Sequence, residues 1–276
     1  MSKDKRRTYG SSTLPGSIRI RELETKDYGA VQRIHGSCMM DNIPYAVSYT
    51  MQHRYILFLW AFLTYATVNY PANGLPVVIL ILCGWGVFIF LNVRKIITHA
   101  TIIEARRVLF SDLVNILDHY NITQSEAIST DTNDDGDGLH GPESLSRFWV
   151  AMDKDAGNRV VGFVAVIERE EETKLAVIDR EPNVLYLCVL SEYRGRGIAT
   201  ALLDHAARDM CKRGVKWISC VVTTWQYPAL NIFYKFGFRE VARATVFYGF
   251  AEHVEMRLDI EEWDRCRKAR RRKIDE

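Results

Sequence analysis

The sequence lacks the residue groupings that metal and redox proteins need. Its six cysteines, Cys38, Cys83, Cys188, Cys211, Cys220 and Cys266, include no Cys-x-x-Cys pair and no Cys/His group at ligand spacing. No metal site is expected, and reduced, mostly buried thiols are. Net charge is nearly absent as well: Lys+Arg 36 against Asp+Glu 34 leaves +2, too small a bias to select nucleic acid as a partner. Thr8 to Ile18 is polar and small, where a cleaved secretory signal would carry its apolar run. Charge is missing altogether from one block, YILFLWAFLTYATVNYPANGLPVVILILCGWGVFIFL, Tyr55 to Leu91, and the gap extends to Val93. That is about twice the ~20 residues one bilayer-spanning helix needs.

Pro71, Asn73, Gly74 and Pro76 sit in the middle of this block and form a turn signal. The spacing predicts two apolar arms, Tyr55 to Tyr70 and Val77 to Val93, each a little short for a comfortable span at about 1.5 Å per residue. Two buried core helices are the alternative, but neither arm shows the polar face such helices carry. Arg54 precedes the block, and Arg94, Lys95, Arg106 and Arg107 follow it. By the positive-inside rule both flanks are expected in the cytoplasm, which requires an even number of crossings. The expectation is a membrane hairpin or in-plane anchor over 55–93.

The 276 residues suit one domain with an appendage. A basic tail, 1–16, opens the chain. Ser17 to Leu23 alternates as a strand should, and a helix with Val31, Ile34 and Cys38 on one face follows, capped by Thr25 or Asp27. Thr101 to Asn115 is helical in pattern. The acidic segment 125–144 holds too few apolar residues to pack, and its Asp131, Asn133, Asp135 and Gly136 open like a calcium loop whose twelfth position is Pro142, so a surface insertion is expected instead. From Arg147 the order is three strands, a helix over Ala199–Arg213, a strand over Lys216–Thr224, a helix over Pro228–Phe236 and a last hairpin over Val241–Asp259. A basic tail, 261–276, closes the chain; it offers either attraction to an anionic leaflet or a plain solvated run.

The strand VLYLCVL runs into Arg194-Gly195-Arg196-Gly197-Ile198-Ala199 and then directly into a helix. Small residues let the backbone approach a ligand, unpaired N–H groups point outward, and the helix dipole favours an anion, so the turn is suited to phosphate. It is not a P-loop, for no Gly-Lys-Ser/Thr follows, and it is not a dinucleotide fingerprint, for Gly-x-Gly-x-x-Gly is absent.

A strand, then Arg194-x-x-Gly197-x-Ala199, a further strand, and Asn231-x-x-Tyr234 in a helix ending in Gly-Phe together resemble the GNAT superfamily of N-acetyltransferases. The resemblance covers Ser17 to about Ile260, apart from the apolar block and the acidic segment. An uncharged block after the first helix is similar to the camello-like branch, which includes cysteine-S-conjugate and lysine N-acetyltransferases of the endoplasmic reticulum. The resemblance implies an α+β (mixed α/β) fold whose central, mostly antiparallel sheet splays at the acetyl-CoA site and is interrupted by the membrane hairpin. Its domain would comprise residues 17–54 and 94–260.

On that resemblance, acetyl-CoA is the co-substrate. Its pyrophosphate would rest on Arg194, Gly195, Arg196, Gly197, Ile198, Ala199 and Thr200. Its pantetheine would pair with the backbone of Val189 and Ser191, an N–H near Leu190 would polarise the thioester, and Asn231 would hold the pantetheine amide or support Tyr234. Tyr234 is the expected acid for the departing thiolate. The chain departs from the commoner family pattern at Tyr186, where relatives carry Glu. A water relay, Glu192 or an amine arriving neutral are the alternatives for the base, and Cys188 as a nucleophile lacks a partnering His.

The expected activity is acetyl transfer to a small hydrophobic amine such as a cysteine S-conjugate. Alternatives are a protein lysine or N-terminal acetyltransferase and a non-catalytic acyl-CoA-binding membrane protein. The expected partners are acetyl-CoA, an amine and a lipid bilayer, without nucleic acid. The expected place is a membrane, that of the endoplasmic reticulum, with the catalytic domain facing the cytoplasm. The sequon Asn121-Ile122-Thr123 would report the opposite orientation by becoming glycosylated.

Overall fold

The computed structural model describes residues 16–68, 75–110, 113, 145–168, 182–246 and 249–275. The acidic segment, its calcium-like opening, the sequon and positions 71–74 of the expected turn lie outside the described residues.

A seven-stranded sheet organises the domain, in the order β1-β2-β3-β4-β5-β7-β6. The strands are β1 (Ile18–Glu22), β2 (Arg147–Asp153), β3 (Arg159–Glu168), β4 (Pro182–Val189), β5 (Trp217–Thr223), β6 (Arg239–Val246) and β7 (Ala251–Asp259). Every neighbouring pair is antiparallel except β4 and β5. Those two are joined through α5 (Ile198–Lys212), as parallel strands require a crossover. The mixed, mostly antiparallel α+β architecture expected from the sequence is what the chain adopts.

β2 is buried at every position and β3 along most of its length, because helices cover both faces of the sheet. On one face Leu202, Leu203, Ala206, Ala207 and Met210 of α5 pack against Val161, Val164, Ile218 and Met256. On the other face Val31 and Ile34 of α1 (Tyr28–Asp41) meet Phe148, Val150, Phe163 and Ala165. Burial on this scale, at roughly 25 cal/mol per Å² of apolar surface, is the main term holding the layers together. β6 is the exposed edge, and its Arg239, Glu240 and Arg243 guard it against pairing with other chains.

β1 pairs with β2 along its whole length, Ile18 opposite Asp153 through Glu22 opposite Trp149. The chain before the apolar block and the chain after it therefore belong to one sheet.

The apolar block departs from the two matched arms. α3 (Arg54–Val68) is 15 residues, whereas α4 (Leu75–Phe110) is one unbroken helix of 36 residues, about 54 Å at 1.5 Å per residue. The second arm does not end at Val93, and no separate helix starts at Thr101. No Pro or Gly falls between Gly86 and Phe110, and the Arg94-Lys95 pair ends the apolar run without breaking the helix. Trp60 of α3 donates its indole N–H to Leu82 O at 3.2 Å, and its ring lies over Gly86. The far end of α4 returns to the domain: Ala105 is buried, Val108 and Leu109 pack beside α1, and Gln32 donates to Leu113 O at 2.8 Å.

The helix expected after β1 is α1, and α2 (Ile43–Met51) follows it, with Pro44 in the first turn of α2, where its missing N–H costs nothing. Two smaller expectations also change. Asp27 occupies the N-cap position of α1 without capping it through its side chain. Its carboxylate instead accepts the Glu24 N–H at 3.0 Å and pairs with Arg21. The basic C-terminal stretch is a helix, α7 (Ile260–Asp275), anchored by buried Trp263.

Candidate active site

The site begins with a defect in β4. Ala165 of β3 lies opposite Tyr186 and Val166 opposite Val184, so Leu185 has no partner and bulges. A bulge bends its strand. The parallel ladder between β4 and β5 accordingly holds at Asn183–Ser219 and Val184–Cys220 and then stops. Beyond Val184 the two strands diverge, which is the splay expected of this sheet.

The register decides which backbone groups face the opening. Leu190 N–H donates to Val161 O at 3.0 Å, so this N–H points to β3. It is not free to polarise a thioester, which corrects the expectation placed on it. Backbone groups alternate along a strand, and those of Leu187 and Val189 therefore face β5. Gly162 of β3 permits the close approach of the end of β4: a Cβ there would meet Cys188 O at 2.8 Å.

At the mouth of the opening, a short turn over Ser191–Tyr193 leads into the glycine-rich loop. Tyr193 is buried, while the Arg196 guanidinium stacks over its ring at 5.0 Å. Gly195 and Gly197 take φ of 76° and 79°, left-handed values that are costly for residues bearing a Cβ. Gly197 is the N-cap of α5, and the first helical bond runs from Ala201 N–H to Gly197 O at 3.0 Å. The N–H groups of Ile198, Ala199 and Thr200 precede that bond, at the positive end of a 15-residue helix.

Arg194 crosses from the loop to α1. Its Nε donates to Val189 O at 3.0 Å, and its terminal nitrogen reaches Asp41 Oδ2 at 2.7 Å and Cys38 Sγ at 3.6 Å. The loop and the last turn of α1 are thereby joined over the end of β4. Tyr186 and Cys188 face the α1 side, where Tyr186 meets the ring of His35 edge-on at 5.2 Å.

The two candidates for proton transfer are each held by a partner on a neighbouring strand. Glu192 is exposed and pairs with Arg159 of β3 at 3.0 Å. Tyr234 lies on α6 (Tyr227–Phe236), one turn beyond Asn231, and donates to Glu240 of β6 at 2.9 Å. Burial, reinforced by Glu240, raises the Tyr234 pKa. The sequence placed Cys38 on the apolar face of α1 but not at the site, for only the fold brings α1 to the end of β4.

Residues 144–240 match the family described as an acetyltransferase (GNAT) domain. The parting of β4 and β5 and the loop at its mouth both fall inside this stretch, which is an acetyltransferase domain of the GNAT type. Over most of its length the chain is similar to N-acetyltransferase 8 of Mus musculus, 25% identical over 83% of this chain and 88% of the relative. N-acetyltransferase family 8 member 2 of Rattus norvegicus is 24% identical over 82% and 86%. Streptothricin acetyltransferase of Streptomyces lavendulae is 32% identical over a shorter stretch, 38% of this chain and 51% of the relative. Among solved structures, an acetyltransferase of the GNAT family from Staphylococcus aureus is 13% identical with a TM-score of 0.47, covering 88% of this chain and 99% of that one.

Proposed function

We propose that the chain is a membrane-anchored enzyme that transfers acetyl from acetyl-CoA to a small hydrophobic amine. One observation carries the reading: β4 and β5 part beyond Val184, and the opening ends at a left-handed glycine loop that caps α5. The pyrophosphate sits on the N–H groups of Arg196, Gly197, Ile198, Ala199 and Thr200, with Gly195 allowing the approach and Arg194 supplying charge. Pantetheine runs along the gap-facing backbone of Leu187 and the Val189 N–H towards Ser191 like an added strand, the Val189 carbonyl being held by Arg194, and Asn231 holds its far amide. Leu187 N–H takes over the polarising role expected of the N–H near Leu190.

The neutral amine attacks the thioester carbon, and the thiolate of CoA leaves. Tyr234 gives that thiolate its proton, and the raised pKa keeps the hydroxyl protonated at neutral pH. Its bond to Glu240 opens in that step. Glu192 takes the amine's proton, directly or through water, once its pair with Arg159 parts.

The anchor rests on exposed apolar surface. Val77–Leu109 is long and apolar enough to cross a membrane, with 6% of its most apolar window buried, and Phe58, Phe62 and Leu80 are among the large side chains exposed along α3 and α4. Soluble monomers rarely leave such patches uncovered. At about 22 Å, α3 falls short of a ~30 Å core, which favours a hairpin seated in the leaflet nearer the domain. Since β1 and β2 share a sheet, both ends of the hairpin lie on one face, and the flanking arginines and lysine favour the cytoplasmic face of the endoplasmic reticulum membrane. His53, Tyr55 and Phe250 cluster at the base of the hairpin, beside α2 with its exposed Tyr45 and Tyr49. An amine that partitions into lipid, such as a cysteine S-conjugate, reaches the site by this side.

The test is release of free CoA thiol by the full chain in lipid nanodiscs, with acetyl-CoA and a panel of cysteine S-conjugates, simple alkylamines and lysine peptides. Turnover of the apolar conjugates, reduced at least tenfold in Tyr234→Phe, is expected. Acetyl-CoA binding without thiol release on any amine would refute catalysis, and preference for the peptides would refute the substrate class.

A further inference from the structure

The α1–β4 seam holds a pair of thiols that acetyl transfer does not use. Cys38 lies near the end of α1, half-buried, with Sγ 3.5 Å from Val189 O and 3.6 Å from the Arg194 guanidinium. Cys188 lies buried on β4 in the cluster that Cys38 packs against, one residue before the Val189 whose carbonyl Cys38 touches. The charged and titratable groups facing Cys38 come from each element packed there: Cys188 from β4, Arg194 from the loop, Asp41 from α1 through Arg194, and His35 one turn earlier on α1 against Tyr186. The neighbouring Cys188 thiol, opposed by burial and aided by Arg194, holds the Cys38 thiol at about 7. Cys188 is pushed well up by the Cys38 thiol beside it and by its own burial. A reachable thiolate beside an enclosed partner thiol is the arrangement of a peroxide-sensing pair.

We infer that Cys38 and Cys188 are a redox pair, joined by peroxide into a disulfide that pins α1 to β4 and stops acetyl transfer. The inference rests on the active-site assignment above for its consequence, though not for its chemistry. The Cys38 thiolate attacks one peroxide oxygen, breaking the O–O bond to give the sulfenic acid and hydroxide. The Cys188 sulfur then attacks the sulfenic sulfur, and its proton leaves with the hydroxyl as water while the S–S bond forms. Two thiols lose two electrons in total and peroxide gains them. Arg194 then loses the Cys38 thiolate as a partner and keeps Val189 O and Asp41, on a wall of the opening that is now covalently fixed. A cytoplasmic face suits such a bond, since disulfides there are transient and reversible.

The full chain in nanodiscs, treated with stoichiometric hydrogen peroxide, is mapped by mass spectrometry without reduction and assayed in parallel. The expected result is one intramolecular link between the peptides carrying Cys38 and Cys188, about 2 Da lighter than the two thiols. A loss of turnover of at least tenfold should accompany it and be reversed by dithiothreitol. Cys38→Ser should form no link, and whatever turnover it has should survive peroxide. Cys188→Ala should stop at the sulfenic or sulfinic acid of Cys38. Enclosed Cys220, whose thiol burial pushes well up, serves as the unreacting control. Oxidation of Cys38 in the wild type without the link would overturn the pairing, and a link that leaves turnover intact would overturn the switch. If the wild type transfers no acetyl before treatment, the active-site assignment has failed, and the link alone decides the pairing.

Discussion

The reactivity of Cys38 against pH gives the sharpest quantitative check on the geometry around Arg194. A thiol held at about 7 is half ionised at pH 7, whereas an ordinary thiol near 8.5 is about 3% ionised, a roughly 16-fold difference in thiolate. Intrinsic nucleophilicity falls with pKa, by a factor of about 4 to 6 over 1.5 units at a Brønsted slope of 0.4–0.5. Cys38 should therefore react with a pyridyl disulfide about threefold faster than an ordinary thiol of equal exposure at pH 7, and fall behind it above about pH 8. The sign follows from the charge: stabilised thiolate moves the half-maximal rate down in pH. Peptide mapping of labelled Cys38 across pH 5.5 to 10 reads the midpoint. Because Cys188 and Arg194 both lower it, Cys188→Ala and Arg194→Gln should each move the midpoint up. A wild-type midpoint at 8.5 or above, or no movement in either variant, would refute the arrangement.

Gly162→Ala places a methyl 2.8 Å from Cys188 O and 3.1 Å from a Val189 methyl. Overpacking of this kind costs about 1–3 kcal/mol, and a lowered Tm with weaker acetyl-CoA binding should follow; an unchanged protein would show that β4 yields freely. Gly197→Val puts a branched residue at φ 79°, a strain of about 1–3 kcal/mol. Acetyl-CoA affinity, measured by calorimetry, should fall at least tenfold if the loop holds the phosphates. Leu80→Arg and Phe62→Arg each set a charge on the exposed apolar surface of α4 and α3. At a bilayer centre such a charge costs about 2.5–3.5 kcal/mol on insertion scales, so the double variant should shift from the membrane pellet towards the supernatant on flotation. Retention of the wild-type distribution would place these faces against protein.

Much of the fold was legible because local pattern and tertiary role agree. Alternation marked β1, a continuous apolar run marked the VLYLCVL strand, and Gly237 marked the end of α6. What failed was punctuation. Arg94 and Lys95 looked like an end because they end the apolar run, but charge does not stop a helix, and α4 continues to Phe110. The Leu190 N–H was misplaced because strand period fixes faces only once the register is known, and the Leu185 bulge sets that register. The Cys38–Arg194–Asp41 contact spans more than 150 residues of sequence, beyond any local signal. The Arg194-x-x-Gly197-x-Ala199 loop could be seen because its chemistry is carried by consecutive backbone.

Calorimetric titration of the full chain in nanodiscs with acetyl-CoA tests the central claim most directly, with Gly197→Val and desulfo-CoA in parallel. Saturable binding of one acetyl-CoA per chain is expected, weakened at least tenfold in Gly197→Val and retained for desulfo-CoA, because the phosphates and pantetheine carry the affinity. A folded wild-type chain that takes up no acetyl-CoA would contradict the account.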